Sequence, residues 1–195
     1  MKKIALLFVM FALISCGGGG GGSSSGNSTD INQAGYDLWE YMVSDTSITK
    51  YFDWYETDEN FVPTGESEMN AGQVRETYLS ETTVLYEEIT DGTVDTTETL
   101  ILSGDSIQVV GGNTIPRYRN IGNAVGGECH LKQHYDTYNP LPGYTFYDVI
   151  EVDCGDWSEF YAKGLGLIMG QNISTWLDDD DNPIAIDYSI AIANL

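Results

Sequence analysis

The chain has 195 residues, of which 42% are hydrophobic and 12% aromatic, and it carries a formal net charge of −22. That surplus of carboxylates excludes nucleic acid as a partner, and it excludes electrostatic docking on anionic headgroups, because either surface calls for clustered Lys and Arg. Solubility, mutual repulsion and divalent-cation binding remain compatible with it.

The first sixteen residues open with Lys2 and Lys3, continue with the apolar run from Ile4 to Ile14, and end in Ser15 and Cys16. These are the three parts of a secretory signal. The run is too short to stay in a bilayer, where a spanning helix takes about 20 apolar residues. Residues 1–15 are therefore expected to be a cleaved signal peptide. The segment Leu13-Ile14-Ser15-Cys16 resembles the lipobox of bacterial lipoproteins. That resemblance implies a diacylglyceryl group on the Cys16 sulfur and an acylated new N-terminus. Only a thiol offers a strong nucleophile for such a thioether, and two or more acyl chains make anchoring durable. Gly17 stands where an Asp often retains such proteins in the inner membrane, so the resemblance implies the outer membrane.

Residues 16–33 contain the string GGGGGGSSSGNST and read as a flexible tether. Its root-mean-square span is about 23 Å, enough to lift a domain clear of the headgroups. A phosphate-binding loop is excluded, since no strand precedes these glycines and no GK[ST] follows. All 30 acidic residues lie beyond Cys16, whereas Lys2 and Lys3 leave with the signal, so the net charge of the mature protein becomes about −24.

Residues 34–195 are of single-domain size, with no internal repeat, and their Tyr, Thr, Val and Ile favour strands. Tyr36 to Val43 reads as a short helix or an entry segment over one end of a sheet. Strand-like runs follow at Lys50 to Thr57, Gln73 to Leu79, Thr82 to Ile89, Thr96 to Leu102, Ser106 to Val110 and Asn113 to Arg119. Turn residues such as Asp91-Gly92, Ser103-Gly104-Asp105 and Gly111-Gly112 separate most of them at hairpin spacing. Glu128 to Asp136 and Tyr144 to Cys154 flank the loop Asn139-Pro140-Leu141-Pro142-Gly143, whose prolines end the ladder. Glu159 to Lys163, Leu165 to Leu177 and Ile184 to Ala193 complete the series. The expected fold is all-β, a single antiparallel curved sheet or open half-barrel of about 10–11 strands with a short N-terminal helix.

Acylation of Cys16 leaves Cys129 and Cys154 as the only cysteines, in a compartment where disulfides persist. A hairpin centred on Leu141 and Pro142 sets Cys129 opposite Cys154, His130 opposite Asp153, Leu131 opposite Val152 and Lys132 opposite Glu151. Directly opposed residues lie within reach of a disulfide. The loop it closes is long enough for about 3 to 4 kcal/mol of stabilisation in the chain-entropy picture.

Residues able to carry chemistry are few. His130 and His134 are four apart, which on a strand is roughly 13 Å and too far to share an ion. Asp178, Asp180 and Asn182 alternate as in the first half of a calcium loop, but Pro183 replaces the turn glycine and Ser189 the closing Glu. A solvated turn is expected there, with weak calcium binding as the alternative; no other cofactor is expected. Arg117 and Arg119 suit either internal ion pairs or an anion contact. Tyr135, Tyr138, Tyr144 and Tyr147 surround the proline loop, either as a rim for a ligand or as cross-strand packing.

The run Tyr161-Ala162-Lys163-Gly164-Leu165-Gly166-Leu167 is similar to the YYAKGVGLV-type segment near the C-terminus of several bacterial lipoproteins and periplasmic domains of unknown function. It implies a curved sheet, an open half-barrel related to periplasmic lipid carriers, and Gly164 and Gly166 are expected to mark a bulge or tight bend. Together these readings describe an outer-membrane lipoprotein without enzymatic activity. Its partners would be the membrane, through its lipid, and an envelope protein, a glycan or an apolar ligand bound through the sheet. The alternatives are a hydrolase using paired carboxylates and a calcium-stabilised adhesion module.

Overall fold

The computed structural model describes residues 35–177 and 183–195. The chain forms β1 (Tyr36–Asp37), α1 (Leu38–Met42), β2 (Ile48–Thr57), β3 (Pro63–Ser80), β4 (Thr83–Thr90), β5 (Thr93–Ser103), β6 (Ser106–Val109) and β7 (Thr114–Pro116). It continues with β8 (Tyr118–Arg119), β9 (Ala124–Gly126), β10 (Cys129–Tyr138), β11 (Phe146–Asp153), β12 (Trp157–Ala162), β13 (Gly166–Leu177) and β14 (Pro183–Asn194). Among these residues no helix is long and apolar enough to cross a membrane.

Twelve strands form one antiparallel sheet that curls nearly into a barrel. Its order is two hairpin-linked meanders, β2 to β7 and β9 to β14, joined where β14 pairs with β2. The free edges, β7 and β9, approach each other at the seam, and β1 pairs with β8 beside it. All-β architecture, curvature and a short N-terminal helix are as expected from the sequence. The strand count is higher because the short pieces β1, β8 and β9 carry no periodic signal, whereas the stretch Pro63 to Gly72 lengthens β3 without adding a strand.

Alternation supplies an inward and an outward face for each strand. The concave face gathers Phe52, Val74, Val84, Tyr86, Leu100, Ile107, Ile115, Leu131, Ile150 and Tyr161 into one core. Each fully enclosed Phe, Leu, Ile or Val contributes about 1.5 to 3 kcal/mol relative to exposure. Helix α1 is too short to persist alone, and it is held because Leu38, Trp39, Tyr41 and Met42 are buried in this same core. Asp37 caps it, accepting from the Trp39 amide at 3.1 Å. A second apolar cluster covers the outer face of the C-terminal strands, with Phe146, Val149, Phe160, Ile168 and Ile190 under Leu141, Tyr144 and Phe61.

Cys129 and Cys154 form the disulfide, with Cα atoms 4.1 Å apart. The expected register holds for His130 with Asp153 and Leu131 with Val152. A bulge at Lys132 then shifts it by one, so that Gln133 lies opposite Glu151. Lys132 still reaches Glu151 at 2.8 Å and Asp153 at 3.0 Å.

The Tyr161 to Leu167 run forms a bend that receives α1. Gly164 and Gly166 have φ of +72° and +70°, and a bulge interrupts the β12–β13 register at Phe160 and Tyr161. The Gly164 amide donates to Glu40 O at 2.8 Å, and its carbonyl accepts from the Asp45 amide at 2.8 Å. Below it, fully buried Lys50 pairs with Glu76 and donates to Leu165 O at 2.7 Å. Glu76 also accepts from the Ser44 amide at 2.7 Å. A Cβ on Gly166 would lie 2.7 Å from Glu76 Oε1 and 2.9 Å from Lys50 Nζ, both pinned by their own bonds. Gly166→Ala is therefore expected to cost about 2 to 4 kcal/mol. Gly104→Ala, at φ +58° in open space, should cost about 1 kcal/mol. Urea unfolding of the two variants measures the difference, and equal losses would show that the ion pair does not constrain the bend.

Candidate functional site

Four glutamates stand in phase with the apolar residues of the concave face. Glu76 follows Val74 on β3, Glu88 follows Val84 and Tyr86 on β4, Glu98 precedes Leu100 on β5, and Glu159 precedes Tyr161 on β12. Glu76 belongs to Lys50. The other three face one another across the interior, close enough that the charges of Glu98 and Glu159 act on Glu88 and that of Glu159 acts on Glu98.

Register fixes the cluster. Glu98 lies directly opposite Tyr86, and Glu88 opposite Thr96. Glu159 lies opposite Val152 on β11 and Gly170 on β13. Tyr161 donates to Glu159 Oε2 at 2.6 Å. Trp157 is two residues from Glu159 on the same face of β12 and packs on the core. Along β12 the order Tyr161, Glu159, Trp157 runs away from the bend that holds α1. The acids thus lie toward the opposite end, where Glu98 and Trp157 are half-buried.

The electrostatics follow from enclosure. Burial is the main force raising the Glu88 carboxyl to about 8; a Thr96 hydrogen bond pulls it down, while Glu98, Glu159 and Asp95 add to the rise. Glu98 is raised to about 7, again by burial first and then by Glu159. The Tyr86 and Tyr161 hydroxyls are pushed well above their usual value by burial and the adjacent glutamates, so both remain neutral phenols. Glu88 Oε1, Glu98 Oε2 and Trp157 Nε1 are buried and meet no hydrogen-bond partner among the described residues. No group of three or more His, Cys, Asp or Glu among those residues is placed to hold a metal ion.

A smaller cluster sits by the α1 end. Asp148, in the left-handed region at φ +51°, accepts from Tyr41 Oη and lies 2.8 Å from His134 Nε2. Tyr36 stacks on the His134 ring with centroids 5.0 Å apart. Burial would raise the Asp148 carboxyl, but the Tyr41 and His134 hydrogen bonds outweigh it and hold it below its usual range. The bulge at Lys132 is what turns His134 toward this end. These contacts fasten the N-terminal segment to β10 and β11.

The residues singled out from the sequence are placed as follows. Tyr138 stacks on Phe160 with centroids 4.8 Å apart, and Tyr135 lies 4.9 Å from Tyr138. Tyr144 donates to buried Asp53 at 2.9 Å. These three belong to the outer apolar cluster, whereas Tyr147 stands apart at 67% exposure. Arg117 grips Asp37 with two nitrogens at 2.6 to 2.9 Å. Arg119 donates to Ala124 O at 2.7 Å. Cys16, Asp178, Asp180 and Asn182 lie outside the described residues. Sequence reasoning missed Glu88, Glu98 and Glu159, although each acid standing in phase with apolar neighbours was the available signal.

Compared with protein-family models, with curated proteins and with solved structures, the chain has no match in any of the three.

The neutral acid is the form that the fold favours at Glu88 and Glu98. Between their usual value of 4.5 and about 7 to 8, the folded protein keeps protons that the unfolded chain has released. Stability should therefore fall as pH rises through that window. Thermal melts are expected to show a midpoint lower at pH 8 than at pH 5 by roughly 5 °C or more. In Glu88→Gln that slope should shrink and the pH 8 midpoint should rise; an unchanged slope would refute the assignment.

Proposed function

We propose that the protein is a lipid-anchored envelope binding module, held by Cys16 and lifted on residues 16–33, whose near-barrel takes a small ligand at its acidic end. The carrying observation is the set of enclosed, unsatisfied polar atoms on Glu88, Glu98 and Trp157. Buried polar groups are normally satisfied, and barrel mouths are habitual ligand sites. A ligand inside is favoured over a glycan or partner on the outer tyrosines, because Tyr135, Tyr138 and Tyr144 already pack among themselves and on Asp53. The apolar residues of the concave face already pack into one cluster, which favours a ligand with a polar head over a wholly apolar one.

A second reading has a specific observation behind it: a carboxyl raised toward neutrality beside another glutamate is the pattern of a general acid and its partner in carboxylate hydrolases. Enclosure argues against it. Tyr86, Tyr161, Glu88 and Glu159 are buried, which keeps a polymeric substrate from passing between the acids.

Two measurements test the proposal. In its own envelope, the protein should partition into the detergent phase with a diacylglyceryl mass on Cys16, and Cys16→Ser should move it to the aqueous phase with an unchanged melting midpoint. In a thermal-shift screen of small molecules at pH 7, stabilisers should appear whose effect is lost in Glu88→Gln. A screen whose only stabilisers ignore Glu88 would overturn the interior site.

A further inference from the structure

We infer that the ligand received by Glu88, Glu98 and Glu159 is a small organic cation, an ammonium group on an apolar or aromatic body, entering at the end opposite α1. The inference rests on the binding reading above and names its ligand class.

The first ground is the distribution of positive charge. Six basic residues follow Cys16, and each has a place elsewhere. Lys50 serves Glu76, Arg75 serves Glu87, Arg117 serves Asp37, Lys132 serves Glu151 and Asp153, and Lys163 serves Glu40. Arg119 is spent on the carbonyls of Ala124 and Tyr118. None is given to Glu88 or Glu98, so each stays neutral near pH 7 until a cation brings the counter-charge that a carboxylate there needs.

The second ground is an acceptor without a donor. Glu88 is only 7% exposed and lies in the inward row of Val84 and Tyr86, yet its Oε1 meets no hydrogen-bond partner among the described residues. Glu98 Oε2 is in the same condition. An ammonium brings N–H donors and positive charge together, the combination that two such acceptors lack. Metal ions demand several converging ligands at short, fixed distances, and no such group is present among the described residues.

Half-buried Trp157, two residues from Glu159 on the same face of β12, offers an aromatic surface on the acids' side of the core, and a cation gains from a desolvated aromatic face. Half-buried Glu98 and Trp157 mark the side of entry.

Binding has a proton balance. Glu88 and Glu98 hold protons near neutral pH. As the ammonium arrives, a carboxylic acid gives its proton to solvent and becomes the carboxylate that pairs with it. The ammonium itself keeps its three protons. Uptake of one cation therefore releases up to one proton.

The test is calorimetric titration of the acylated full-length protein in detergent at pH 7. The probes are phenethylamine, its neutral counterpart 2-phenylethanol, and calcium chloride. Phenethylamine should bind, with a heat that varies with buffer ionisation enthalpy in the sense of proton release. Glu88→Gln and Glu98→Gln should each weaken it at least tenfold, while exposed Glu66→Gln and Glu68→Gln leave it unchanged. Equal binding of 2-phenylethanol, still sensitive to Glu88, would overturn the cation and leave the interior site standing. Binding of calcium alone would also overturn it. Binding lost equally in the Glu66 and Glu68 variants would reduce it to surface attraction. No binding by any probe, together with a screen lacking Glu88-dependent stabilisers, would overturn both readings.

Discussion

An ammonium and a carboxylate with no solvent access hold the near-barrel and its N-terminal segment in one piece. Burying Lys50 and Glu76 is costly: desolvation pushes the Lys50 ammonium below its usual value, against the pull of Glu76. The cost is offset by the hydrogen bonds around the pair, from Lys50 to Glu76 and to Leu165 O and from the Ser44 amide to Glu76. Ser44 Oγ also donates to Leu165 O at 2.8 Å, and Tyr78 Oη donates to Ser44 O. Three parts of the chain distant in sequence, the segment after α1, the β2–β3 pair and the β12–β13 bend, thus share one polar knot. A buried pair of this kind is weak evidence for stability but good evidence for position, because only one arrangement satisfies all its members.

That knot also explains why the opposite end differs. At the α1 end buried Lys50 and Glu76 pair with each other, Asp37 with Arg117 and Glu40 with Lys163 close the periphery, and Asp148 is hydrogen-bonded to His134. Further along the interior, Glu88 and Glu98 have no base paired with them among the described residues. The same concave surface is therefore sealed by paired charges at one end and left electrostatically incomplete at the other, and enclosure converts the incompleteness into proton uptake.

Much of this architecture was legible in the residues. Period-two runs bounded by Asp91-Gly92, Gly104 and the proline loop named most long strands, and the register arithmetic paired Cys129 with Cys154. What escaped had a physical reason in each case. Thr64 to Asn70 is exposed on both faces of β3, so burial writes no alternation into it. The bulge at Lys132 flips side-chain phase without leaving a sequence mark, which is why His134 faces α1. The acid cluster escaped for the opposite reason: Glu88, Glu98 and Glu159 are brought together by curvature of the sheet, a property of twelve strands at once, which no single strand records.

The pairing of β14 with β2 carries a temporal consequence. The strand nearest the start of the sheet must wait for the last strand of the chain, so the ring of ladders is completed by a contact spanning nearly the whole domain. Topologies dominated by such long-range contacts fold slowly. Each meander can assemble from neighbouring hairpins as it emerges, but neither can bury its concave face alone. An arrested fragment lacking β14 would present two half-sheets with open edges, ready substrates for chaperones or proteases.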